Sequence, residues 1–208
     1  MKRSEKSLLK KEAILRASLK CITTYGFHGT NMKMIAREAN IAAGTIYIHF
    51  KNKEEVINIL YNEISAEINE LVHVNYKAEL SYYQNFINIW KAMLTLYIEN
   101  PEKPEFLTQY AYSPYITSAA ANKSDKLLEP IVAMFEKARK EKVIKDIPTP
   151  ALIGLTHSPI TSLVRMAKYN KIKLSKINIT NYAQACWDAI EIHDYKIRKG
   201  DENESIKN

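Results

Sequence analysis

Apolar residues recur every three or four positions along most of the chain, the period of a helix rather than the alternation of a half-buried strand. Leu8, Ile14, Leu15, Ala17, Leu19 and Ile22 supply one face of a first helix, expected over 4–24. Tyr25-Gly26 ends it, because glycine accepts the left-handed conformation that closes many helices. Asn31 is suited to cap a second helix over 32–39, with Ile35 and Ala36 facing inward. Asn40 closes that helix, a tight turn follows, and a short third helix is expected over 43–49. Asn52 then caps a long helix over 53–74. Further helices are expected at 80–99, 103–119 (broken at Pro114), 123–142, 149–170 and 179–197, with prolines at their ends or kinks. With only five glycines and no hairpin pattern, the fold class is all-α.

The pattern divides the chain into a small and a large unit. Residues 1–53 carry a three-helix helix-turn-helix domain, and residues 54–198 a larger helical domain. The polar segment 199–208 reads as a disordered tail.

Charge sharpens that division. The net charge is +7, and residues 1–53 hold eleven Lys and Arg against three acids, a balance of +8. The rest of the chain balances at −1. A basic small unit beside a near-neutral body is suited to a polyanion whose counterions it can displace.

Other chemistry is absent from the sequence. The residues offer no Ser/His/Asp or Cys/His grouping, no phosphate-cradling glycine loop and no metal-ligand spacing, so neither enzyme activity nor a cofactor is expected. Cys21 and Cys186 read as reduced, half-buried thiols. No apolar run is long enough to span a membrane and the N-terminus lacks the pattern of a secretory signal, so a cytoplasmic protein is expected.

The most informative stretch is GFHGTNMKMIAREANIAAGTIYIHFKNKEEV, residues 26–56. Two short helices across a tight turn present the start of the second helix to a DNA major groove. Ile35, Ala36, Ile46 and Phe50 can share a small core. Gly44 lets the backbone approach a base or phosphate closely, and Thr45 offers a hydroxyl and a methyl. Tyr47 and His49 are polar-tipped aromatics, followed at once by Lys51 and Lys53.

The segment GTIYIHFKNKEEV resembles the recognition helix and following helix start of the TetR family, and AILRASLKCITTYGFHGTNMKMIAREANIAAG matches the family's first two helices in spacing. The resemblance covers about residues 10–60. It implies a transcriptional regulator, most simply a repressor of a palindromic double-stranded DNA operator released by a small apolar or aromatic effector. Thr30, Asn31, Tyr47 and His49 correspond to phosphate contacts, and Lys33 to a base- or phosphate-contacting position. Ala43, Gly44 and Thr45 correspond to the groove-entering positions, and Lys53 to the lysine at the fourth helix start. Ala42-Ala43 departs from the usual polar pair, and two alanines read few base edges, which favours readout by shape.

The body is rich in aromatics between Tyr76 and Tyr115. These serve as ordinary core or as the lining of an effector site, for which Phe86, Trp90, Tyr97, Phe106 and Tyr110 are the candidates. The last two long helices carry apolar stripes, and the resemblance implies that they pair with a second copy in a homodimer.

Overall fold

A computed structural model of the chain describes residues 3–127 and 129–193. Among the described residues the elements are α1 (Arg3–Gly29), α2 (Met32–Glu38), α3 (Ala43–His49), α4 (Lys53–Asn75), α5 (Tyr82–Glu99), α6 (Glu102–Tyr110), α7 (Ser118–Leu127), α8 (Glu129–Lys140), α9 (Thr149–Lys168) and α10 (Lys176–Ile190). The only strand-like pairing among them is an isolated bridge between Ile144 and Glu191. The expected tail over 199–208, and the last residues of the expected helix over 179–197, lie outside the described residues.

The helix ends follow local chemistry. Gly26 takes φ 72°, as expected for the stop after Tyr25, but a further helical turn runs on to Gly29. Asn31 and Asn52 cap α2 and α4 by accepting from the backbone N–H groups of Met34 and Glu55. Ser81 and Gln84 form a reciprocal capping box at the start of α5, satisfying donors that the first turn would leave bare. Asn40, between α2 and α3, sits at φ 55°, a left-handed position that asparagine tolerates better than most residues.

Some boundaries differ from the sequence expectation. The helix expected over 103–119 ends at Tyr110, and residues 111–117 form a turn-rich connection. The helix expected over 123–142 is divided into α7 and α8, with Pro130 in the first turn of α8. Leu8, assigned to the inner face of α1, is instead 57% exposed, because the core contacts of that helix begin nearer Ile14.

The headpiece core joins Ile14, Leu15 and Ile22 of α1 to Ile35 and Ala36 of α2 and to Ile46 and Phe50, all buried. Helix α4 carries this core into the body: it packs on α1 and also on α5, α7 and α8. The body closes with α5 against α9 and α10. Cys21 and Cys186 are both buried free thiols, and burial pushes each above its ordinary pKa. No helix among the described residues is long and apolar enough to cross a membrane.

Candidate nucleic-acid interface and body cavity

The first turn of α3 contains no bulky side chain. Ala42, Ala43 and Gly44 are exposed, and a Cβ added at Gly44 would meet nothing within 4 Å. Gly44 is therefore not required by packing inside the protein. Its smoothness faces outward, where a backbone can approach a groove. One turn on, Tyr47 is 57% exposed, while Ile46 on the opposite side is fully buried and anchors the helix. His49 and Thr45 are half-buried, with Lys51 exposed just beyond. Lys33 and Asn31 are exposed on the neighbouring α2 edge.

Ile48 is 80% exposed beside Tyr47, an apolar side chain that the sequence reading did not single out. Its signal was available: it breaks the apolar period of a seven-residue helix whose buried residue is Ile46.

Two of the candidate contact residues are committed elsewhere. The Thr30 hydroxyl is buried and donates to the Cys21 carbonyl at 3.1 Å, so its side chain closes the α1–α2 junction rather than facing outward. Lys53 also turns inward. Its Nζ donates to the carbonyls of Phe27 and of Thr30, the latter at 2.7 Å, and lies 4.0 Å from the centre of the Phe27 ring. Lys53 thus adds a donor to the Phe27 carbonyl, which also accepts from the Thr30 N–H at 3.3 Å, and supplies one to the Thr30 carbonyl just past the end of α1.

The body contains a cavity of about 530 Å³. Its walls come from α4 through Ile68, from α5 through Phe86, Trp90 and Met93, and from α8 through Met134 and Phe135. Leu107 and Thr108 of α6, Ala111 and Tyr112 after it, and Ile153, Thr156, His157, Ile160 and Thr161 of α9 also line it. No Asp, Glu, Lys or Arg lines it. The polar groups are hydroxyls and His157, whose Nε2 lies 2.9 Å from the Tyr97 hydroxyl. Burial holds the His157 imidazole below its ordinary pKa and the Tyr97 phenol well above its own. The Trp90 indole N–H donates to the Thr156 carbonyl at 3.0 Å, fixing α5 to α9.

Of the five aromatic candidates, Phe86 and Trp90 line this cavity. Tyr97 sits behind it as the partner of His157, fully buried. Phe106 and Tyr110 are displaced from it: they are buried on the side of α6 that meets α1, with ring centres 5.2 Å apart. A nine-residue helix can turn only one face to the cavity, and Leu107 and Thr108 occupy that face. His157, Met93, Met134 and Phe135 were not anticipated as lining residues.

Two families of known proteins match the chain. Residues 14–59 match the family of bacterial regulatory proteins, tetR family, and residues 82–191 match the tetracyclin repressor-like, C-terminal domain. The chain belongs to the TetR family. An uncharacterized HTH-type transcriptional regulator from Haemophilus influenzae is 23% identical to it over 180 residues, covering 86% of this chain and 95% of that protein. A TetR-family transcription regulator from Marinobacter aquaeolei has the same fold, with a TM-score of 0.85 at 19% identity over 93% of this chain and 100% of the other. The transcriptional regulator FadR from Bacillus subtilis, in complex with stearoyl-CoA, superposes with a TM-score of 0.64 at 18% identity, covering 88% and 99% of the two chains. The protein is a helix-turn-helix transcriptional regulator of the TetR family, not an enzyme.

In this TetR-family chain, headpiece and body meet through aromatic side chains. Tyr115, in the connection after α6, stacks on Phe27 with ring centres 3.9 Å apart, and its hydroxyl lies 2.6 Å from His28 Nε2. Asn58 of α4 holds the same connection from the other side, donating to the Tyr115 carbonyl at 2.9 Å and accepting from the Thr117 N–H at 2.8 Å. The segment that closes one wall of the cavity therefore continues, three residues after Tyr112, into the headpiece.

Proposed function

We propose that the protein is a homodimeric repressor that holds a palindromic operator through α2 and α3 and releases it when a small apolar or aromatic molecule enters the body cavity. The carrying observation is the continuity between cavity wall and headpiece contact: Ala111 and Tyr112 line the cavity, and Tyr115 stacks on Phe27. A molecule that displaces residues 107–112 acts three residues away from Tyr115 and its stacking contact with the end of α1. A volume of 530 Å³ falls in the range of about 300–1,000 Å³ typical of small-molecule sites. The fold neighbour FadR, in complex with stearoyl-CoA, supports a ligand-binding role for such a body.

The working division is a DNA-binding unit over 1–53 and an effector and dimer unit over 54–198, with a cytoplasmic location. Exposed Asn31, Lys33, Lys51 and Tyr47 are assigned to the phosphates with His49, and Ala43, Gly44 and Thr45 to the groove. Thr30 and Lys53 act from behind, holding the α1–α2 junction that carries these residues. Leu155 and Met166 on α9 and Tyr169 at its C-cap are 48%, 44% and 64% exposed and recur on one side, which supports pairing of that side with a second copy. Two recognition helices about 34–36 Å apart in such a dimer reach successive major grooves.

The test is selection of bound sequences from a random duplex pool, with wild type and a Tyr47→Ala/His49→Ala variant in parallel. A palindrome enriched by wild type and lost by the variant is the expected result. No enrichment at modest salt, or a motif without two-fold symmetry, overturns the dimeric-operator reading. Placing the recovered operator over a reporter promoter then separates repression from activation.

A further inference from the structure

The body cavity offers a ligand few fixed polar groups, and one of them has a direction set by the fold. No Asp, Glu, Lys or Arg lines it, so a ligand with a full charge would lose its water without gaining a counter-ion. Several hydroxyls on the wall have already spent their protons inside helices: Ser65, Thr156 and Thr161 donate to the carbonyls of Tyr61, Leu152 and Ser158. The Trp90 indole N–H is spent in the same way on Thr156. The hydroxyls of Tyr61, Thr108 and Ser158 can turn either to donate or to accept, so they impose no choice.

His157 is different. Its Nε2 lies 2.9 Å from the hydroxyl of Tyr97, which is fully buried behind the wall. The phenol proton has no other acceptor among the described residues, so it is directed at Nε2. Burial disfavours both the phenolate and the imidazolium, so both groups are uncharged near neutral pH. A neutral imidazole that accepts at Nε2 carries its own proton on Nδ1. Nδ1 has no partner among the described residues, and it is not one of the buried polar atoms shut off from solvent without one, which belong to Asn62, Asn69, Tyr110 and Ser113. The His157 ring borders the cavity, so this N–H is open to it.

We infer that the cavity selects an uncharged molecule bearing a hydrogen-bond acceptor, such as a ketone, an ester or an aromatic ring nitrogen, and that His157 donates to that acceptor through Nδ1. This rests on the reading of the cavity as the effector site. Tyr97 is a positioning residue: it lies behind the wall, and its proton fixes which imidazole nitrogen donates. The apolar remainder of the molecule would lie against Phe86, Met93, Met134 and Phe135. A carboxylate in place of the neutral acceptor would accept the same hydrogen bond, but its charge would meet no cation on the wall.

The test uses the full chain and two pairs of probes whose members differ by one carbonyl: acetophenone with ethylbenzene, and benzophenone with diphenylmethane. Phenylacetate and diphenylacetate are the charged probes. Binding is followed in nitrogen–proton spectra of the labelled protein, where the Trp90 indole N–H at the cavity wall reports occupancy and the His157 ring nitrogens report the tautomer. In the free protein near neutral pH, Nδ1 should be protonated and Nε2 bare. At least one ketone should bind about fivefold or more tightly than its hydrocarbon, the size of one net hydrogen bond, and more tightly than either carboxylate. The double variant Tyr97→Phe/His157→Phe, which leaves no orphaned hydroxyl, should bind ketone and hydrocarbon alike. Tyr97→Phe alone should shift the His157 proton toward Nε2 and shrink the ketone preference. A protonated Nε2 in the free wild type, an imidazolium, tighter binding of a carboxylate, a ketone preference that survives the double variant, or no ketone preference in either pair overturns the inference. Operator release is read separately, by fluorescence anisotropy of labelled duplex. His157-dependent ketone binding that leaves the operator bound would keep this site and sink the effector reading. Release by ketone and hydrocarbon at equal affinity would keep the effector reading and overturn the role of His157.

Discussion

The ring of Tyr115 stacks on Phe27 at 3.9 Å between centres, joining the connection after α6 to the last turn of α1. On the far side of the Phe27 ring, Lys53 Nζ approaches to 4.0 Å while holding backbone carbonyls of the same junction. One phenylalanine thus couples the body, the end of α1 and the start of α4. Any displacement of Tyr115 reaches the base of the DNA-binding unit directly.

Tyr115→Ala should therefore leave operator binding in place but reduce its response to effector. Coupling between two sites is commonly worth a factor of about 5–150 in affinity, and this variant should bring the response close to unity. Anisotropy titrations of labelled operator with and without effector measure it. An undiminished response in the variant would exclude this junction as the route.

Tyr47→Ala should separate binding from folding. The side chain is 57% exposed, so its loss should change stability by no more than about 0.5 kcal/mol. A hydrogen bond to a charged phosphate contributes about 1.5–3 kcal/mol, so operator affinity should fall at least tenfold. Thermal denaturation beside a gel-shift titration gives both numbers. Wild-type affinity in a stable variant would remove Tyr47 from the interface.

Lys33 and Lys53 should behave as opposites although both are lysines of the basic headpiece. Lys33→Ala removes an exposed charge and should lower the salt dependence of DNA binding by about one unit of slope. Lys53→Met removes the ammonium donor from the part-buried Thr30 carbonyl and one of two donors from that of Phe27, and should cost about 1–3 kcal/mol of stability. Urea unfolding and salt titration distinguish the two effects. A Lys53→Met variant as stable as wild type would mean that the carbonyls find other donors at no cost.

Acid should weaken the body through His157. Burial holds its native pKa below the ordinary 6.5, so between those two values the unfolded chain binds a proton that the native chain does not. Stability from this residue is accordingly complete above about pH 6.5 and declines as pH falls through that value toward the native pKa. His157→Gln should flatten this part of the pH–stability curve. Chemical denaturation at a series of pH values checks it, and an unchanged slope in the variant would assign the acid sensitivity elsewhere.

The sequence alone determined the helical class, the basic headpiece and the exposed positions Ala43, Gly44 and Tyr47 of α3, because these depend on local signals. Helical period fixes which face turns inward, asparagine caps fix where α2 and α4 begin, and the absence of bulk at Gly44 is visible in its letter. The same local logic failed at Lys53, where charge beside a DNA-binding motif suggested phosphate and the folded chain instead brings the carbonyls of Phe27 and Thr30 to the ammonium. It also failed to sort the aromatics. Tyr97, Phe106 and Tyr110 share the period of Phe86 and Trp90, yet only the last two reach the cavity. A cavity is space left where several helices fail to fill one another's grooves. Its outline and its His157 therefore depend on how α4, α5, α6, α8 and α9 are set together, which no single stretch of sequence specifies.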